Sequence, residues 1–138
     1  MCWMVYIAND HSLPIIGKED RRFPLLEVTP LDVEERRTTL QALTKLSFIY
    51  YAASWRGCGC GFSYETETEL PEWERGRTSV ESLSRYLAEA VEIGQTKVYV
   101  VWAGCEGAIP EVQETVQPEY FGGAVFHFSE EVLLSLRP

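Results

Sequence analysis

The sequence predicts an α/β fold, with α+β as the alternative: one domain over residues 1–138, in which a mixed sheet of about five strands carries two main helices. Three observations lead there. WMVYIA (3–8), LSFIYYAA (46–53) and KVYVVWA (97–103) are β-rich apolar runs of strand length, the kind that want cover on both faces. Residues 79–93 place Val80, Leu83, Leu87, Ala90 and Val91 at helical spacing. Strand, long loop, helix, two-residue turn and strand over 46–103 form a βαβ unit. Such a unit has parallel strands joined by a right-handed crossover.

In chain order, WMVYIA reads as a buried strand, and HSLPIIGKEDRR as a loop with a solvated charge run. FPLLEV (23–28) is a shorter strand, and Pro24, which cannot donate to a ladder, favours an edge. Thr29 and Pro30 offer a cap and a first-position proline for a helix from Leu31 to about Thr44. After the strand at 46–53 come the glycine-cysteine loop and the acidic ETETELPEWE. Thr78 and Glu81 form a capping box for the helix over 79–93, and Gly94 is its left-handed stop. Beyond 97–103 the expectation is a loop, a single turn at 118–121, a strand over AVFHF (124–128) and a last strand in VLLSL. For that last segment, a short helix capped by Ser129 is the alternative.

A chain of 138 residues has the size of one domain and buries roughly two-thirds of its unfolded surface. It needs neither disulfide nor metal merely to fold. Its net charge of −9 repels phosphate, so nucleic acid and anionic membrane surfaces are poor partners. No apolar run approaches the ~20 residues of a spanning helix, and the opening MCWMVYIAND has neither a basic region nor a cleavage site. The expected compartment is therefore the reducing cytoplasm, where four cysteines stay thiols unless metal or catalysis recruits them.

RGCGCGFSY (56–64) carries the candidate chemistry. Ligands of βαβ units collect beyond the carboxyl ends of the strands. Cys58 and Cys60 leave the strand ending at Ala53, and Cys105 leaves the one ending at Ala103. If those strands are neighbours, the three sulfurs share one sheet edge and can take a soft or borderline cation such as zinc, with Cys2 or His127 as a fourth ligand. Cys2 can join only if its own strand runs antiparallel to the other two. In a redox account, Cys58 and Cys60 cycle to a small-ring disulfide, helped by Arg56 and opposed by the nearby glutamates. The plainest account is structural: small buried thiols, with glycines supplying room or special backbone angles. All three stay open at this point.

Other patterns carry less. The glycines do not follow a phosphate-loop spacing and no helix start follows them. Cys2 would be an N-terminal nucleophile only if Met1 were removed. His11 lies in a polar loop, and His127 alternates with Phe126 and Phe128, so it faces away from both rings. ETETE reads as a solvated face, and no catalytic set is assigned.

At Met1-Cys2 and at Gly57 through Phe62 the chain resembles a family of short, uncharacterised bacterial proteins that open with Met-Cys and an apolar strand and carry GCGCGF near the middle. The resemblance implies no activity, but it draws Cys2, Cys58 and Cys60 together as residues of interest. The functional expectation is a small cytosolic protein with a thiol-lined, metal-binding site at Cys58, Cys60 and Cys105. An alternative is a protein-interaction or self-associating module, a homodimer, using the acidic aromatic segment 63–74. A thiol redox enzyme comes third.

Overall fold

The computed structural model describes residues 2–65, 71–128 and 131–138. Six strands form one mixed sheet: β1 (Trp3–Asn9), β2 (Glu27–Pro30), β3 (Phe48–Ala53), β4 (Thr96–Trp102), β5 (Val112–Val116) and β6 (Val132–Leu136), in the order β2-β3-β1-β4-β6-β5. Two helices, α1 (Glu34–Thr44) and α2 (Pro71–Ile93), cover it. The predicted α/β class and two main helices are what the chain forms, with six strands in place of about five.

β3 and β4 are both antiparallel to β1, so they run parallel to each other, as the βαβ pattern requires. They are not neighbours. β1 is inserted between them, which spaces their axes by about two strand widths, roughly 10 Å. The insertion follows from β1's composition: WMVYIA is apolar on both faces and buries best at the centre.

Alternation along β1 then sorts the core into two halves. Trp3, Val5 and Ile7 pack with Val98, Val100 and Leu134 under Val80, Leu83, Leu87 and Ala90 of α2. Tyr6 and Ala8 pack with Ile49, Tyr99 and Val101 under Leu40 of α1. The helices therefore lie on opposite faces of the sheet. Among the described residues, no helix is long and apolar enough to cross a membrane.

Several local expectations need correction. Thr29 and Pro30 end β2, paired with Tyr51 and Tyr50, rather than starting α1. Pro30 is tolerated because β2 is an edge strand. Pro24 precedes the strand, and Leu25 beside it adopts a left-handed φ of 57°. α1 begins at Glu34 without a side-chain cap, and Lys45 closes it in the left-handed conformation.

α2 starts eight residues earlier than the capping box suggests, with Pro71 at its first position. Gly76 sits inside it, where a side chain would collide with the carbonyl of Ser63. Close packing rather than a helix end explains that glycine. Gly94 is not left-handed either. A Cβ there would lie 2.6 Å from both Asn9 Oδ1 and His11 Nδ1, so the position needs room.

AVFHF is not a strand: Phe126 makes one bridge to Tyr64, while Phe126 and Phe128 are buried and His127 is exposed. The expected turn at 118–121 is a short helical turn, Pro118–Tyr120, and VLLSL is β6. Met1, TETEL (66–70) of the acidic segment and the cap proposed at Ser129 lie outside the described residues.

Candidate metal centre

The sheet's directions decide which thiols meet. The carboxyl ends of β3 and β4 and the start of β1 lie at one edge: Trp3 faces Trp102, and the Ala103 N–H donates to the Cys2 carbonyl at 2.9 Å. The rings of Trp3 and Trp102 stack there with centroids 3.6 Å apart. Cys2, at the head of an antiparallel β1, is thereby carried to the loop leaving β3.

That loop is tightly held. The Ser54 N–H and hydroxyl both donate to the Cys58 carbonyl, at 3.0 and 2.6 Å. The Gly57 N–H donates to the Ser54 carbonyl at 2.9 Å, and Gly57 takes a φ of 82° that a residue with a side chain adopts only under strain. Gly59–Gly61 then forms a short 3₁₀ turn, closed by the Phe62 N–H on the Gly59 carbonyl at 3.1 Å. Phe62 is fully buried beneath it, and the Ser63 hydroxyl donates to the Cys60 carbonyl at 3.1 Å. Gly59 lets the turn lie directly on β1: a Cβ would sit 2.7 Å from the Trp3 carbonyl oxygen. Gly57 and Gly59 thus each have a structural reason, as the structural account expects, yet the result is to press two thiols against a third.

The sulfurs of Cys2, Cys58 and Cys60 all lie within 4.8 Å of one another. Three thiolates at about 2.3 Å from a tetrahedral cation are about 3.8 Å apart, so small side-chain adjustments satisfy that geometry. Cys58 and Cys60 are half-buried and Cys2 is exposed, so the group is open on one side. Its hydrogen bonds suit sulfur as an electron-rich ligand: the Trp3 N–H donates to Cys60 Sγ at 3.2 Å, and the Cys60 N–H donates to the Cys58 sulfur.

Burial is the largest influence on the Cys58 thiol and, with hydrogen bonds that the thiol donates to its two cysteine neighbours, pushes its pKa up to about 11 against the backbone donor. Beside it, Tyr51 donates to the Gly57 carbonyl at 3.1 Å. Burial first, and then the neighbouring thiols, push its hydroxyl up to about 12.

Cys105 is not one of this group. Its loop turns onto the other face, where Cys105 packs with the Tyr6 and Tyr99 side of the core. The three-sulfur set predicted from Cys58, Cys60 and Cys105 is therefore assembled with Cys2 in place of Cys105, because β1 separates β3 from β4. His127 is exposed and outside the group; His11 pairs with Asp10 at 2.8 Å on the surface. Arg56, the cation offered for thiol activation, lies over the Trp55 ring with its guanidinium 5.1 Å from the centroid.

The aromatic segment is also turned inward. Tyr64 is buried, and Trp73 packs edge-on against it and onto the core. Leu70 lies outside the described residues. Compared with protein-family models, with curated proteins and with solved structures, the chain matches none of them.

Proposed function

We propose that the protein is a cytosolic metal-binding protein whose centre is the thiolate set Cys2, Cys58 and Cys60, with zinc as its cation. The observation that carries this reading is the convergence of three sulfurs within 4.8 Å of one another from two segments more than fifty residues apart. Soft thiolate donors select zinc and copper(I) over magnesium or calcium. The backbone donors to sulfur support the ligand role, and the raised Cys58 thiol argues against a standing thiolate nucleophile, which needs a lowered pKa. A cation reverses that preference by displacing the thiol protons.

The test is elemental analysis of untagged protein purified without chelator, followed by cobalt(II) titration of wild type and four Cys→Ser variants. The expected result is about one bound cation per chain, with thiolate-to-cobalt absorption in the near ultraviolet. Cys58→Ser and Cys60→Ser abolish it, Cys2→Ser weakens it, and Cys105→Ser leaves it unchanged. Binding that survives Cys58→Ser, or that needs Cys105, ends the proposal.

A further inference from the structure

A cleft of about 440 Å³ lies between the first turns of α1 and the loop after β4, lined by none of the residues of the thiol centre. Val33, Glu35, Arg36 and Thr39 form one wall, and Gly104, Glu106 and Gly107 the other. Among the described residues, Glu106 is the one buried charged side chain. Its hydrogen bonds are few: the single Gly104 N–H is shared between its two oxygens at 3.2 Å each, and the Tyr6 hydroxyl donates to Oε2 at a long 3.4 Å. Arg36 Nε stands 3.8 Å from Oε1, an ion pair too long for a hydrogen bond. A buried carboxyl group is costly unless well paired, so one with few partners in the wall of a cleft marks a place for a ligand group.

Glu106 and Arg36 present an acceptor and a donor of opposite charge, side by side and not closed on each other. The complementary ligand carries a cation and an anion at similar separation, as an α-amino acid does. Its ammonium group meets Glu106 and its carboxylate meets Arg36, completing a ring of alternating charges. The volume falls within the range of small-molecule sites. Val33 supplies apolar contact for the ligand's side chain, whereas Glu35 and the net charge of −9 select against an acidic one. We infer that this cleft is a binding site for a neutral or basic free α-amino acid, held between Glu106 and Arg36.

Calorimetric titration of the full chain with each of the twenty standard L-amino acids tests this, whether or not the thiol centre takes metal. The expected result is saturable binding of at least one neutral or basic member. Glu106→Gln, which keeps the Gly104 and Tyr6 partners, weakens it ten-fold or more. Thr39→Trp, at a half-buried position lining the cleft, fills it and abolishes binding without disturbing the circular dichroism spectrum. The decarboxylated amine and the deaminated acid of the same compound bind at least ten-fold more weakly. No saturable binding across the panel, binding indifferent to both substitutions, or an amine as tight as its parent overturns the inference.

Discussion

At the residue scale, the thiols and the glycines between them give the sharpest expectations. Cys58 holds its proton up to about 11, so at neutral pH a bound cation must displace it. Zinc affinity should therefore rise with pH, by about ten-fold per unit for each thiol that has to ionise. A competition assay with a chromophoric chelator between about pH 6.5 and about pH 8.5 reads this slope directly; a flat profile excludes thiolate ligation. Gly59→Ala should push the turn off β1, since the new methyl meets the Trp3 carbonyl at 2.7 Å and Val5 Cγ2 at 2.8 Å. A loss of about 1–3 kcal/mol in urea denaturation is expected, together with weaker metal binding. Retention of both would mean that the loop is not held as described. The sequence made Cys58 and Cys60 conspicuous by composition, and named Cys2 as a possible partner on strand direction. It gave no sign of Glu106, whose significance comes from burial between two glycines and opposite Arg36, contacts that no spacing encodes.

At the element scale, apolar runs located the central strands because burial on both faces leaves a direct mark on composition. β5 escaped notice: VQETV is polar and largely exposed, and it is a strand through its parallel pairing with β6 alone. AVFHF misled for the converse reason. Its alternation records which side chains reach the core, but only Phe126 finds a backbone partner. The strand order was legible only in part, since direction follows from the crossover while adjacency depends on which strand most needs the centre.

α2 offers a direct comparison of the two accounts. A capping Thr78 would lose about 1 kcal/mol on conversion to alanine. In the structure Thr78 is inside a helix that begins at Pro71, so Thr78→Ala should change stability by no more than about 0.5 kcal/mol, in either direction. Thermal and urea unfolding of this one variant decide between them.

For the whole molecule, the sheet's two packed faces enclose phenols as well as hydrocarbon. Burial is the leading influence that pushes Tyr51 and Tyr99 up to about 12, and Tyr6 and Tyr86 also upward. The unfolded chain releases these protons near 10, whereas the folded one retains them. Stability is thus intact below about pH 10 and falls as pH climbs from 10 toward 12, where folding requires the phenols to stay neutral. Urea midpoints at about pH 8, 10 and 11, with tyrosinate absorbance recorded alongside, should show unfolding and phenol ionisation moving together. Ionisation of all tyrosines near pH 10 without loss of structure would contradict their burial.

The placement of β1 between β3 and β4 also governs how the chain reaches this state. Among the described residues no two strands are joined by a tight hairpin, and the apolar β1 waits for partners at 48–53 and 96–102 before either of its edges is satisfied. Folding that depends on such distant pairings is slow, on the order of milliseconds to seconds for sheet-rich domains. Through that interval WMVYIAN is an unpaired, sticky ribbon, open to pairing with another chain. Recovery from urea should therefore fall as protein concentration rises, and a concentration-independent yield would show the ribbon to be shielded early. During synthesis the same segment emerges before both strands that flank it, so the most vulnerable period of this domain lasts from the making of β1 until β4 has followed.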